Sequence, residues 1–408
     1  MQESNIVKYE DGLIKRISNQ IGVTNKLLTL SEPQLIPYRK GDKWGFCDKN
    51  KKIIIDCIYK RTFDFVEDLA IVETFEDSGY GFINKDGDIV IPCIYFGALG
   101  FGMNDFRDQS FSKGVARVRL SMTESGFIDK KGSIVIPCIY EWVENFSEGL
   151  SLARLTTGGK NYFDVYRSVQ GYIDCNGNRV IPFNYFYALD FSEGLAVVKP
   201  YGINGFQFID KNGNTAFPQV YNRADSFSEG LACVQLKDKY GFIDKYGNVE
   251  IKFTYASAKR FSEGLAVVKL EGLPFNIDSP EDRYGYIDKH GNNLTGCIYE
   301  KAENFSEGLG CVRINNKYGF IDMVGNTVIP HLFDDADAFS EGLACVQLDG
   351  KYGFIDKEGK IIIPFIYNRS WDVNFGPPKF KGGFARFFTR NSGLYGCINK
   401  EGMEFWED

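Results

Sequence analysis

The stretch FSEGLGCVRINNKYGFIDMVGNTVIPHLF (Phe305–Phe333) is followed five residues later by FSEGLACVQLDGKYGFIDKEGKIIIPFIY (Phe339–Tyr367). Self-similarity at a short fixed period marks a repeat architecture, and it decides the fold before any local reading does. The same pattern opens at Phe227 and again at Phe261. The Asp or Asn that ends its [YF]-I-[DN] segment recurs at Asp48, Asn84, Asp129, Asp174, Asp210, Asp244, Asp288, Asp322, Asp356 and Asn399. The intervals run from 34 to 45 residues, so a basic period of 34 is lengthened in four places. The 408-residue length alone would suggest two or three domains. The repeat instead makes residues 31–408 one array.

Each unit reads as three strands. Strand A is the L-A-x-V segment (Leu265–Val268), strand B is [YW]-G-F-I-D (Tyr318–Asp322), and strand C is x-V-I-P (Thr327–Pro330). Proline lacks a ladder donor, so strand C is expected to end there. The D-K-x-G turn between B and C (Asp356–Gly359) suits a type I turn closed by a left-handed glycine. An equally short L-D-G-K turn joins A to B, which makes A-B-C an antiparallel meander. The connector from C to the next A, Y-x-x-A-x-x-F-S-E-G (Tyr299–Gly308), suits a tight helical turn or an extended segment packed on the sheet. About ten such units are expected in an open, superhelical or solenoid-like array, because whole units stand at both ends with no split blade. A closed propeller-like ring is the alternative. Residues 1–30 differ: Ile6, Tyr9, Leu13, Ile17 and Ile21 fall at helical spacing, predicting an amphipathic helix that caps the array or docks a partner.

Composition sets limits on function. With 35 Phe, 23 Tyr and 44 Gly but only two His, the chain is built for many short strands and tight turns. A net charge of −7 argues against non-specific nucleic-acid binding, which requires clustered Lys and Arg. No apolar run is long enough for a membrane-spanning helix. The first residues lack a secretory apolar core, so a cytoplasmic setting is expected.

Strand B begins Trp44-Gly45 in the first unit and Tyr-Gly in later ones (Tyr80-Gly81, Tyr240-Gly241, Tyr318-Gly319, Tyr352-Gly353). Together with G-F-I-D-x-x-G-x-x-V-I-P and F-S-E-G-L-A, this pattern over residues 35–408 resembles the WG-repeat family of bacterial proteins. The resemblance implies a bacterial source, a β-rich repeat and a role in interactions rather than chemistry. The third to fifth units depart from the motif, with Ser125-Gly126, Gln170-Gly171 and Phe206-Gln207.

Candidate chemistry is sparse. The ten cysteines include no C-x-x-C pair and share positions with Phe183, Gln219 and Phe365, so they read as small core residues rather than metal ligands or disulfides. His290 and His331 stand at ordinary repeat positions. Glu148, Glu193, Glu229, Glu263, Glu307 and Glu341 recur in S-E-G turns, and six copies of one environment cannot separate an acid from a base. No catalytic residue, metal or cofactor is expected. Calcium at these turns is a weaker reading, and aromatic stacking of sugars or bases is another.

The four insertions are the most informative departures. They lie at residues 96–110 and 368–379 in connectors, and at 156–169 and 271–283 in A–B hairpins. Their aromatic and arginine content (Phe101, Phe106, Arg107, Tyr162, Phe163, Tyr166, Arg167, Trp371, Phe375) matches interface chemistry and marks them as candidate partner-binding residues. The expected function is a non-enzymatic scaffold for a protein partner, with binding of a glycan or cell-wall polymer as the alternative.

Overall fold

The computed structural model describes residues 35–77, 79–96, 110–157, 167–270, 283–367, 378–388 and 395–408, and among them there is no helix. The ninth unit shows the plan. Its strands are a short Asp335–Ala336 segment, A (Ala344–Leu348), B (Lys351–Ile355) and C (Ile361–Tyr367), hydrogen-bonded in that order. All three pairings are antiparallel. The expected meander is therefore present, and the connector adds an extended fourth strand in place of a helical turn. Strand A does not alternate in burial: Ala344, Cys345 and Val346 are all buried. Both faces of each sheet pack against neighbouring units, so a run of apolar residues replaces the one-sided pattern.

Turn chemistry sets the strand ends. In the B–C turn, the Asp356 carboxylate accepts the amides of Glu358 and Lys360 at 3.1 and 2.8 Å, and Gly359 takes φ +81°. Ahead of strand A, Ser340 and Leu343 bridge across Glu341 (φ 54°) and Gly342 (φ 87°). Two consecutive left-handed residues make a type I′ turn, whose twist matches the flanking strands.

Adjacent units are joined by aromatic pairs. The FSEG phenylalanine packs edge-on against a strand B ring of the preceding unit: Phe339 on Phe320, Phe305 on Tyr286 and Phe261 on Phe242, each with centroids 4.9 Å apart. These phenylalanines are buried, as the repeat predicts for a ladder between units.

The array closes on itself, which corrects the expectation of an open solenoid. The tenth unit ends in a truncated strand C, and its Trp406–Glu407 segment pairs in parallel with Ile36–Lys40, strand A of the first unit. Phe405 joins the two units directly. Its amide donates to Cys397 O at 2.7 Å, and its carbonyl accepts the Arg39 amide at 3.2 Å. The resulting sheet holds strands of the first and last units in one ladder. Closure continues through side chains: Tyr38 donates to Glu407 at 2.7 Å, and the buried Arg39 pairs with Asp408 at 2.7 Å. Arg386, in strand A of the tenth unit (Phe384–Phe388), donates to Thr62 O at 3.1 Å and Asp64 at 3.2 Å. Its guanidinium lies 5.7 Å from the Trp44 ring and 5.3 Å from the Phe63 ring. The molecule is an all-β, propeller-like ring. Complete units at the two ends were no sign of an open array, because the last strand C serves the first sheet. The helix predicted within residues 1–30 lies outside the described residues.

Candidate functional site

Repeated polar residues of the ring are occupied in holding unit to unit. Each S-E-G glutamate reaches the next unit's turn: Glu307 accepts the Gly342 amide at 2.9 Å and pairs with Lys357 at 3.2 Å. Glu148 does the same with Gly194 and Lys211, and Glu229 with Gly264 and Lys289. Partial burial pushes the Glu148 and Glu229 carboxyls up, but the lysine and amide donors win and hold them below the ordinary range. The serines form a parallel ladder, with Ser306 donating to Phe339 O and Ser262 to Phe305 O. The turn aspartates likewise spend their carboxylates on their own turns. Asn178 and the turn amides hold Asp174 below its usual range.

The cysteines are spread over the ring as free thiols, six of them buried. Burial pushes the Cys93 and Cys138 thiols up to about 11, which keeps them protonated at neutral pH. Cys175 is the exposed one and sits in a B–C turn, at a position that holds lysine in eight of the other nine units. His331 is half-buried, and burial lowers its pKa.

Of the sequence-predicted binding residues, Phe101, Phe106, Arg107, Tyr162, Phe163, Tyr166, Trp371 and Phe375 lie outside the described residues. Arg167 opens strand B of the fourth unit (Arg167–Asp174), paired with Thr157. This A–B ladder has eight pairs against five in the ninth unit, so the insertion begins as an extension of the hairpin.

Beside that extension lies a group of exposed aromatics that sequence reasoning did not single out. Strand C of the fourth unit runs on as Arg179–Ala188 and pairs with strand A of the fifth unit, Ala196–Pro200. Phe186 (58% exposed), Tyr187 (40%) and Tyr201 (37%) surround Lys199. The Lys199 ammonium sits 5.7 Å from the Phe186 ring and 5.5 Å from the Phe206 ring, the range of a cation–π contact. Phe186 meets Tyr201 edge-on at 5.8 Å, and Tyr187 meets Phe206 the same way. Tyr201 Oη donates to Ser168 O at 2.8 Å, tying the cluster to the residue after Arg167. The signal was available in the sequence: NYFYALDF (residues 184–191) places Phe186 where other connectors carry Glu141 or Glu300.

The comparisons with known proteins agree with the repeat. A family model described as WG containing repeat matches residues 44–74, 80–101, 126–160, 171–199, 208–240, 240–273, 284–318, 318–352 and 352–374. The chain belongs to the WG-repeat family. Among solved structures, this WG-repeat ring is similar to PorZ of Porphyromonas gingivalis, a surface component of the type-IX secretion system. The identity there is 11%, over 89% of this chain and 61% of that one, with a TM-score of 0.30. It is also similar to the β-propeller domain of the trilobed protease from Pyrococcus furiosus (12% identity, 64% and 96% covered, TM-score 0.33). Hsv2 of Kluyveromyces marxianus gives 9% identity, 62% and 93% covered, and a TM-score of 0.35. Scores this low carry no argument of their own, and ring closure rests on the strand pairing. The WG-repeat chain spans 61% of the length of PorZ. No curated protein sequence matches it.

Proposed function

We propose that this WG-repeat ring is a non-catalytic binding domain that captures a protein partner at the Phe186–Tyr187–Lys199–Tyr201–Phe206 cluster. The carrying observation is the exposure of large aromatic side chains around one cation, beside the lengthened hairpin of the fourth unit. Aromatic and cationic residues of this kind dominate protein interface energetics, whereas the rest of the ring's recurring polar groups are occupied in turns and ladders. Ring geometry favours a protein over a sugar. Sugar stacking needs a flat open face, and Phe186 and Tyr201 stand at 87° to each other. We place the partner in the cytoplasm, in keeping with the composition.

The test replaces Phe186 and Tyr201 together with Ser. Both rings are exposed, so the melting temperature should stay within a few degrees of the parent. A partner captured by the parent from the source cell should be bound at least about 2 kcal/mol more weakly by the double variant in titration calorimetry. Undiminished affinity with an unchanged melting curve would move the binding site elsewhere on the ring.

A further inference from the structure

The repeat supplies an internal control for Lys199. The fourth residue of strand A is cationic in several units, and in two of them a connector carboxylate faces it. In the fourth unit Arg154 pairs with Glu141 at 3.8 Å, and in the eighth Arg313 pairs with Glu300 at 3.1 Å. Strand register fixes the equivalence: Trp142 opposes Arg154, Lys301 opposes Arg313 and Tyr187 opposes Lys199. The residue before each of these is Glu141, Glu300 and Phe186. In the fifth unit, then, the carboxylate has become an aromatic ring. Among the described residues no carboxylate lies within ion-pair distance of Lys199, which is held against the rings of Phe186 and Phe206 instead.

An ammonium retained on the surface after its repeat partner has been replaced is a charge waiting for a counter-charge. The rings around it exclude water on one side, which strengthens any ion pair formed there. They also offer apolar faces to the residues flanking an incoming acid. Resting on the protein-binding reading above, we infer that the partner is an acidic peptide segment whose Asp or Glu side chain occupies the place of Glu141 and Glu300 and pairs with Lys199. An apolar or aromatic neighbour in the peptide then packs on Phe186 and Tyr201. Steric economy supports a peptide side chain, because the site replaces one carboxylate on one connector.

The experiment selects a surface-displayed random heptapeptide library on the full chain, then measures the enriched peptides against the parent, Lys199→Met and Lys199→Glu. Expected are peptides carrying Asp or Glu beside Phe, Tyr or Leu. Their affinity should fall tenfold or more in Lys199→Met, with melting unchanged. In Lys199→Glu, binding should be recovered by the same peptides with the acid changed to Lys. Enrichment of basic or uncharged peptides, or no enrichment, overturns the inference. So do acidic peptides that bind Lys199→Met undiminished, and so does a site that takes polygalacturonate but no peptide. A partner lost in the Phe186/Tyr201 double variant yet retained by Lys199→Met would leave the binding reading standing and remove this one.

Discussion

At the residue scale, the informative side chain is the glutamate of the S-E-G turn. Its backbone is left-handed at six such positions, with φ between 51° and 56°, where a non-glycine residue is strained. A turn chosen for local comfort alone would carry Asn or Gly there. Glutamate is present because its side chain reaches the next unit's amides, a distance that Asn cannot span. Glu307→Ala should therefore lower unfolding free energy by about 1–2 kcal/mol, since the Gly342 amide loses a charged acceptor. Glu307→Asn is the sharper comparison in urea unfolding. It relaxes the backbone but cannot bridge the units, and an Asn variant more stable than the parent would show that the ladder contributes nothing. The sequence made the recurrence of this glutamate visible and marked it as structural. It could not reveal the purpose, because the partner amide lies on another unit about 35 residues away.

At the element scale, the family's glycine explains itself. The glycine after Trp or Tyr in strand B faces a stretch where strand C spends four residues against two, from Ile363 opposite Phe354 to Tyr367 opposite Tyr352. This bulge turns the Ile363 carbonyl towards Gly353, where an added Cβ would come within 2.6 Å of it. At Gly81 the corresponding approach to Ile91 O is 2.3 Å. Gly353→Ala should thus destabilise the ring by about 1–3 kcal/mol through displacement of strand C. A melting curve that coincides with the parent's would mean that the bulge relaxes freely. Where strand C stands at a sheet edge, as in the ninth unit, its bulge also bends that edge, which discourages edge-to-edge association. Strands A, B and C, their order and their turns were legible from period and turn residues. The bulges were not, because a two-residue excess leaves the alternation of V-I-P unremarkable. The exposed cluster at Lys199 was missed for a related reason. Insertions that break the period stand out in a repeat, whereas Phe186 changes chemistry within a regular unit.

For the whole molecule, the missing element in the sequence reading was closure. Hydrophobic patterning describes each unit and its neighbours, and it is silent on whether the tenth neighbour is the first. A clue lay in the one Trp-Gly pair, which stands in the first unit, and in Arg386 of the last unit, whose strand A slot holds arginine in one other unit, at Arg117. Arg386 brings them together over the Trp44 ring. Arg386→Met keeps much of the packing but removes the donors to Thr62 and Asp64, so the seam should open more readily by about 1–3 kcal/mol. Hydrogen exchange at the Arg39 and Gly41 amides, which are bonded across the seam, should accelerate while amides of the sixth to ninth units keep their rates. Uniform acceleration around the ring would instead assign Arg386 a general packing role. The seam also sets a clock for biosynthesis. Arg39 in strand A of the first unit emerges from the ribosome 367 residues before its edge partner Trp406. At elongation rates of about 5–20 residues per second, that edge waits unpaired for roughly 20–75 seconds. A nascent ring of this kind therefore carries a sticky strand for most of its synthesis, and its yield depends on what shields Ile36–Lys40 during that interval.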